Sequence, residues 1–192
     1  MIFSGILNSW VGRPQQTWSV IFRASEHNFQ SSSFHAACAG AAPSIVIVKS
    51  DTGYICGGFT EVPWSTPASG KGRYVASDHS FLFSLHCPTG PNVRKFDIKK
   101  KLFAVSHHPN CGPIFGAGAD LFIANNCDKV KDQEKKICND KNILMQVCDS
   151  YSNLPHSYTG SGDYQHPPTS SSLMGEYNFL VEEYEVLVPV QT

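Results

Sequence analysis

The chain has 192 residues, 41% hydrophobic and 16% charged, a composition that fits one globular domain and excludes a disordered chain. Its formal net charge of −1 provides no basic excess for nucleic-acid binding, so nucleic acid is not an expected partner. No apolar run is long enough to span a bilayer, and the N-terminus lacks the basic and long apolar parts of a signal peptide. We therefore expect a cytoplasmic protein without membrane insertion.

The first predicted element is a short helix over residues 4–11, with Ser4 as its cap and Gly12 at its end. Because a new, β-rich pattern begins a few residues later, we divide the chain into two parts. Residues 1–15 form an N-terminal helical extension, and residues 16–190 form the main domain.

The main domain begins with a predicted strand and a second helix. The strand covers residues 17–25 and alternates so that Trp18, Val20 and Phe22 face one way. Residues 31–40 contain serine caps, good helix formers and a terminal glycine, which together predict a short helix.

Most of the remaining chain predicts strands separated by turns. Residues 43–50 and 54–62 flank the turn Asp51-Thr52-Gly53 and predict a hairpin. Further strands are predicted at 80–87, 93–98, 101–108 and 176–189. Many short strands with few helices predict a mainly β fold, a two-sheet antiparallel β-sandwich.

Three local features modify this pattern. In the strand 176–189 the alternation slips at Glu182-Glu183, which predicts a β-bulge there. Residues 64–77 are rich in glycine, serine and proline and predict an exposed loop. Residues 129–149 are charged and lack matching turn chemistry, so they predict a solvated loop with a helical turn.

The stretch GPIFGAGADLFIANNC, residues 112–127, resembles a phosphate-binding loop but fails its requirements. Leu121 stands where a dinucleotide fingerprint needs its third glycine, and Gly118 is followed by Ala119 and Asp120 where a P-loop needs Lys and Ser or Thr. The acid would repel a phosphate. The stretch therefore predicts a tight turn that leads into a strand.

No other constellation predicts catalysis, a cofactor or a metal. The string TGSGD lacks the spacing of a hydrolase nucleophile elbow, and no zinc-peptidase H-E-x-x-H occurs. His107 and His108 are adjacent, so in a strand they would face opposite sides and could not share one metal. Glu183 and Glu185 would share one strand face, opposite Glu182, as on a half-exposed strand. The residues thus favour a binding module over an enzyme.

The seven cysteines do not predict a disulfide framework, because their number is odd and they are scattered along the chain. Reduced, mostly buried thiols are expected, with Cys56 and Cys127 as examples. A redox-sensing thiol stays an alternative, although the sequence does not single one out.

Six blocks of the sequence, in their order, resemble the TLDc domains of oxidation-resistance proteins, over about residues 18–188. The blocks are WSVIFRASEHNFQSSSFHAACAG, PSIVIVKSDTGYICGGFTEVPW, SFLFSLH, GPIFGAGADLFIANNC, SYSNLPHSY and LMGEYNFLVEEYEVLV.

The resemblance implies a β-sandwich and a role in oxidative-stress protection without established catalysis. It also implies protein partners, among them subunits of the vacuolar-type proton-pumping ATPase, whose assembly and activity the module would modulate; we expect a monomer and no cofactor. The candidate motif and interaction residues that it implies are Glu61, Trp64, Gly116, Gly118, Asp120, Glu183 and Glu185. Other motif positions are Arg23, Phe29, Gly57, Gly58, Gly112, Phe115, Gly175 and Phe179.

The chain departs from this family at two places. Ala119 stands where many relatives have a histidine, so any role of that imidazole is missing. Residues 129–149 are an apparent insertion.

Two other functions stay open. One is a thiol-based antioxidant enzyme that uses one of the cysteines. The second, weaker because no GTPase sequence follows, is an innate-immune domain like the TLDc-like region that precedes a GTPase in interferon-induced proteins.

Overall fold

The structure, a computed structural model, describes residues 3–89, 93–129, 149–160 and 167–190. In these residues two antiparallel sheets and two short α-helices form the mainly β sandwich that the alternating pattern predicts. The first sheet contains, in spatial order, β1 (Trp18–Arg23), β13 (Val181–Pro189), β2 (Ser44–Ser50), β3 (Ile55–Thr60), β5 (Phe81–His86), β6 (Arg94–Ile98) and β11 (Tyr158–Gly160). The second contains β12 (Asn178–Phe179), β10 (Ser150–Tyr151), β9 (Leu121–Phe122), β8 (Ile114–Phe115), β7 (Val105–His107) and β4 (Arg73–Val75).

The main hydrophobic core fills the space between the two sheets. Val46, Leu82 and Phe96 of the first sheet belong to the same buried cluster as Phe115 and Phe122 of the second. The sheets approach closely at Gly58, where a Cβ atom would lie 2.6 Å from the Phe115 ring. A larger residue at position 58 would therefore push the two layers apart.

The outer face of the first sheet is also buried, because a helix covers it. Helix α1 (Ser4–Val11) has the predicted bounds, and Leu7 packs with Ile45, Phe59 and Phe83 in a second apolar cluster. Phe3 occupies the N-cap position, so Ser4 is the first helical residue and not the cap as predicted. Burial on both faces explains why β2 contains a nearly continuous apolar run.

Helix α2 (Ser31–Cys38) confirms the second predicted helix. Its N-terminus receives its cap from a distant part of the chain, since the backbone N–H of Ser31 donates to Asn125 Oδ1 at 2.8 Å. This hydrogen bond supplies one of the acceptors that the first turn of a helix lacks. The sequence pattern had predicted that serines of the helix itself would form this cap.

Two strand predictions are confirmed in detail. β2 and β3 pair antiparallel as the predicted hairpin, with Ile47 opposite Gly57. The register of β13 on β2 shifts between Val181 and Glu183, which is the predicted bulge. Because of this bulge, Val181 and Tyr184 both face the core although three positions separate them.

Two predictions of local structure, at residues 64–77 and 101–108, were wrong. The loop predicted for residues 64–77 contains the strand β4, and Trp64 at its start is 2% exposed. The strand predicted for residues 101–108 begins as a 3-10 helix, Lys101–Phe103, and only Val105–His107 pair as a strand. In both cases tertiary pairing of β4 with β7 decides the local structure, and composition does not reveal this pairing.

Two strands were predicted with the wrong faces or bounds. In β1 the register shifts between Val20 and Phe22, so Phe22 is buried while Val20 is 41% exposed. Residues 176–189 form two strands in different sheets, since β12 pairs with β10 and β13 pairs with β1 and β2. The chain crosses between the sheets around Leu180. Period-two patterning cannot show such a crossing, because both strands bury alternate residues.

The insertion and loop predicted at residues 129–149 fall, apart from the end residues Lys129 and Asp149, outside the described residues. The division at residue 15 stays a prediction. None of the helices in the described segments has the length and apolar character needed to cross a membrane.

Candidate functional site

The glycine-rich turn at residues 116–120 holds a buried carboxylate against the backbone of a neighbouring segment. Gly116 has a φ of +88°, and Gly118 has a φ of +103°, so both occupy the left-handed region that glycine favours. The turn leads directly into β9, as the sequence predicts. Asp120, the next residue after Ala119, is fully buried.

Asp120 accepts hydrogen bonds from three consecutive backbone N–H groups. Its Oδ1 accepts from His156 at 2.7 Å, from Ser157 at 2.8 Å and from Tyr158 at 3.1 Å. Its Oδ2 accepts from Ser157 at 2.9 Å. Burial raises the pKa of the Asp120 carboxyl, and the N–H donors, which favour the charged form, oppose that change.

The same segment is fixed to the turn by further hydrogen bonds. The backbone N–H of Ala117 donates to Ser157 Oγ at 2.9 Å, and Asn153 Nδ2 donates to Gly118 O at 3.1 Å. Gly116, Gly118 and Asp120 thus connect the second sheet to the strand β11 of the first. This arrangement is a structural anchor, in which the glycines shape the backbone and the carboxylate pairs with protein donors.

Trp64 is the centre of a second structural contact. Its indole Nε1 donates to Ser44 Oγ at 2.9 Å, which satisfies the ring's one polar atom. Its ring meets those of Phe34 and Phe115 edge to face, with centroid separations of 5.3 and 5.8 Å. This candidate residue therefore lies inside the core, where it cannot contact a partner.

His107 lies beside Trp64 and is a buried polar residue that the sequence did not single out as important. Ser65 Oγ lies 2.7 Å from its Nδ1 and accepts a hydrogen bond from Arg73 at 3.1 Å. The Ser65 hydroxyl hydrogen can then point at Nδ1, which leaves the ring proton on Nε2. That atom is buried and has no hydrogen-bond partner in the described part of the protein.

Two further histidines and a cysteine lie close by. His35 Nε2 contacts the carbonyl oxygens of His108 and Cys111 at 2.9 and 3.0 Å, and His108 Nδ1 lies 3.3 Å from Cys111 Sγ. Burial lowers the pKa of His35 and His108. Burial, together with the positive charge of Arg73, lowers the pKa of His107 to about 4. These imidazoles are thus kept neutral.

The acidic candidates Glu183 and Glu185 lie on the surface. We use the term acidic ledge for Glu182, Glu183 and Glu185 together with their partners Arg23, Ser25 and Lys49. Arg23 Nε donates to Glu185 Oε1 at 2.7 Å, and the two residues are direct cross-strand neighbours. Their side chains are 43% and 26% exposed, so the pair remains accessible.

The other two acids of the ledge have different partners because of the bulge. Glu183 accepts hydrogen bonds from both the backbone N–H and the hydroxyl of Ser25. Glu182 Oε1 accepts from Lys49 Nζ at 2.6 Å. Glu183 therefore contacts Ser25, which follows β1, and Glu182 contacts Lys49 of β2; the predicted placement of these acids on opposite sheet faces stays a prediction.

Glu61 stands apart from the acidic ledge. It is exposed, and its Oε1 accepts a hydrogen bond from the Ser77 hydroxyl at 3.2 Å. The structure thus does not bring the seven candidate residues together. Gly116, Gly118 and Asp120 form the anchor, Trp64 is in the core, Glu183 and Glu185 lie on the ledge, and Glu61 is separate.

The cysteines differ in accessibility. Cys38, Cys56, Cys111 and Cys127 are buried, which confirms the expectation for Cys56 and Cys127. Burial raises the pKa of the Cys38 thiol to about 12. Cys87 is half-buried and lines a cavity of about 220 Å³ together with Tyr54, Thr89, Arg94, Ser171 and Ser172. Cys138 and Cys148 lie outside the described residues.

The described residues contain no group of three or more His, Cys, Asp or Glu side chains arranged to hold a metal ion. The sequence pattern showed His107 and His108 as neighbours but missed their contact with His35, which is far away along the chain. The run Lys99-Lys100-Lys101-Leu102-Phe103 was also passed over, although three lysines before two apolar residues are visible in the sequence.

Comparison with known proteins identifies the family of the chain. One match is to TBC1 domain family member 24 of Xenopus laevis, with 26% identity over 115 residues. The protein of the same name from Xenopus tropicalis is 24% identical over 115 residues. Each match covers 59% of this chain and 19% of the relative, so the chain corresponds to a small part of those proteins. A family model described as TLDc domain matches residues 3–187, nearly the whole chain, and the chain therefore belongs to the TLDc domain family.

Proposed function

We propose that this TLDc domain is a non-catalytic, cytoplasmic protein-interaction module in oxidative-stress protection. It binds and modulates the vacuolar-type proton-pumping ATPase. The proposal rests on membership of a family associated with oxidative stress. The observation that carries it is the separation of the motif residues into buried framework and accessible ledge.

The framework residues have structural partners inside the protein. Asp120 is satisfied by backbone N–H groups, and Trp64 by Ser44 and neighbouring rings. Glu183 and Glu185, in contrast, place carboxylates on an accessible surface of β13 beside Arg23 of the edge strand β1. An ordered surface with alternating charges is suited to selecting a protein partner by electrostatic complementarity.

The test is a pull-down of proton-pump subunits from lysate. The double variant Glu183→Gln, Glu185→Gln removes both charges while it keeps the side-chain lengths. Its matched control, Asp51→Asn, Glu176→Gln, removes two exposed carboxylates elsewhere. We expect the control to retain the pump subunits and the ledge variant to lose them about tenfold, a typical loss for charge-assisted contacts. If an unrelated sandwich domain recovered as much of the pump subunits as this chain does, that result would contradict the proposal.

The alternative function is a thiol-based antioxidant enzyme, and the position of Cys87 favours it. This thiol is half-buried in a cavity that also contains Arg94 and several hydroxyl groups. In such a reaction the thiolate takes one oxygen atom from a peroxide and releases water, and a small thiol reductant restores it. The buried cysteines of the described residues cannot do this without opening of the fold.

Cysteine replacement separates the two functions. A variant with all seven cysteines changed to serine or alanine should still protect cells against peroxide if the domain acts by protein contacts. Loss of protection in a correctly folded variant, repeated by Cys87→Ser alone, would support the enzyme. Both variants must first be shown to be folded, by circular dichroism and thermal unfolding close to those of the unchanged protein.

A further inference from the structure

A cluster of exposed apolar and basic side chains lies at one edge of the second sheet. Its apolar members are Tyr74, Leu102 and Phe103, which are 52%, 72% and 39% exposed. Its basic members, the lysines at positions 99, 100 and 101, are all exposed. We call these six residues the basic–aromatic ridge.

The backbone of the ridge is held in a defined position. β4, which carries Arg73 and Tyr74, is the last strand of the second sheet and pairs with β7 on one side. The N–H of Ser77 donates to Lys101 O at 3.0 Å, and the Tyr74 and Phe103 rings meet edge to face at 5.4 Å. The ridge therefore presents fixed side chains at a sheet edge.

The backbone before the 3-10 helix is anchored as well. The N–H groups of Lys99 and Lys100 both donate to Ser157 O, at 2.8 and 3.1 Å. Ser157 is held by Asp120, so the ridge is connected through one residue to the structural anchor. Leu102 thus projects from a turn that is fixed at both ends.

The ridge has a net positive charge. Lys101 forms an ion pair with Asp78 at 3.0 Å, and within the described residues Arg73, Lys99 and Lys100 form none. Arg73 instead donates to Ser65, and Lys100 lies 3.4 Å from His156 Nε2. Arg73 lies on the His107 side of β4, so the two cations Lys99 and Lys100 remain available to an anionic surface.

Protection of a sheet edge does not account for the ridge. Short edge strands often carry Lys or Arg, which discourages pairing with another chain, and this explains Arg73. It does not explain three large apolar side chains beside the lysines, because exposed apolar groups favour unwanted association. Apolar side chains surrounded by cations are typical of surfaces that contact the headgroup region of a lipid bilayer.

We propose that the basic–aromatic ridge is a peripheral docking site for an anionic lipid surface. Leu102, Tyr74 and Phe103 enter the headgroup region, while Lys99 and Lys100 lie over the lipid phosphates and carboxylates. An acidic peptide is the less suitable occupant, because its charged side chains would leave Leu102, Tyr74 and Phe103 without an apolar partner. This docking is independent of the proposed contact with the proton pump.

The contact is expected to be weak and sensitive to salt. A lysine close to an anionic membrane contributes about 1 kcal/mol, which is roughly fivefold in the partition coefficient. Salt at physiological concentration screens charges beyond about 8 Å, so binding should fall as the salt concentration rises. A single ridge on one domain therefore gives reversible attachment and not permanent anchoring.

The test is co-sedimentation of the full chain with vesicles of phosphatidylcholine, with or without phosphatidylserine. We expect binding only to the phosphatidylserine vesicles. The variant Lys99→Gln, Lys100→Gln should lower the partition coefficient on the order of twentyfold, from about fivefold for each lysine. Its control, Arg13→Gln, Lys129→Gln, removes two exposed cations elsewhere and should have little effect.

A second pair of variants tests the apolar contribution. Leu102→Ser should weaken binding to the vesicles, while Val20→Ser, which removes an apolar side chain that is 41% exposed in β1, should not. Equal losses for the ridge variants and their controls would overturn the proposal. So would a chain that ignores the vesicles but binds poly-glutamate through Lys99 and Lys100, since that result would assign the ridge to an acidic peptide.

Discussion

A Cβ atom at Gly116 would lie 1.9 Å from Asp120 Oδ2, so the glycine leaves the space that the buried carboxylate occupies. The positive φ of Gly116 brings the turn back over the carboxylate. Asp120 can then accept the N–H groups of residues 156–158. The glycine and the acid of this turn thus belong to the packing of one anchor.

The substitution Gly116→Ala tests this relationship. We expect it to lower the free energy of unfolding by about 3 kcal/mol, because the methyl group adds a clash to the strain of a positive φ. Gly70→Ala is the control, since Gly70 has a φ of +70° with nothing within 4 Å of the added Cβ. Gly70→Ala should lower the free energy of unfolding by about 1 kcal/mol. Equal losses in urea unfolding would show that backbone strain, and not the contact with Asp120, explains the glycine.

Sequence patterning predicted most of the local structure that depends on neighbouring residues. The bounds of α1, the hairpin of β2 and β3, and the bulge at Glu182-Glu183 follow from periods and turn residues that are visible in one segment. The strand β4 and the crossing near Leu180 could not be predicted. Each depends on pairing with a partner strand that is distant in the sequence.

The polar residue Asn8 connects the N-terminal helix to the first strand. Its Oδ1 accepts from Trp18 Nε1 at 2.7 Å, and its Nδ2 donates to Gln16 O at 2.7 Å. Asn8→Ala would leave Trp18 Nε1 without its acceptor and Gln16 O without its donor, close to the second apolar cluster. We therefore expect a loss of about 2 kcal/mol in the free energy of unfolding.

Ser9→Ala is the matched control for Asn8, because Ser9 is exposed on the same helix. It should change the free energy of unfolding by less than about 0.5 kcal/mol. Limited proteolysis gives a second measurement, since a loosened α1 should be cut more rapidly in the Asn8 variant alone. Unchanged stability and cleavage would show that apolar packing is sufficient to hold the helix.

The candidate site was harder to predict than the fold, for a physical reason. Motif resemblance identified Asp120 and Trp64, but only the structure shows that their polar atoms are satisfied inside the protein. The buried cluster of His35, His107 and His108 arises from α2 and the end of β7, which are about 70 residues apart. No local pattern marks such a group.

His107 makes the stability of the protein dependent on pH. Its pKa is lowered to about 4, from an ordinary value of 6.5, chiefly by burial, so the unfolded chain binds a proton more readily than the folded one. The His107 contribution to stability is therefore fully present above pH 6.5 and is lost as the pH falls toward 4. Between pH 7 and pH 5 we expect a loss of about 2 kcal/mol from this residue.

Urea unfolding at pH 7 and at pH 5 measures this loss. The pKa values of His35 and His108 are lowered too, so the whole protein should lose more than His107 alone contributes. His107→Gln should reduce the difference between the two pH values, whereas His79→Gln, at an exposed position, should not. An undiminished difference in the His107 variant would contradict the assignment.

Cys87 should be the first of the described cysteines to react with a maleimide in the folded protein. Burial raises the pKa of Cys38 to about 12 and also raises that of Cys56, so both thiols are protonated and inaccessible at pH 7. Cys87 is half-buried at the edge of a cavity.

The measurement is peptide mapping by mass spectrometry over time, on a variant with Cys138 and Cys148 changed to serine. A denatured sample should label every remaining cysteine. Native labelling of Cys56 as rapidly as Cys87 would show that the core opens on the time scale of the reaction.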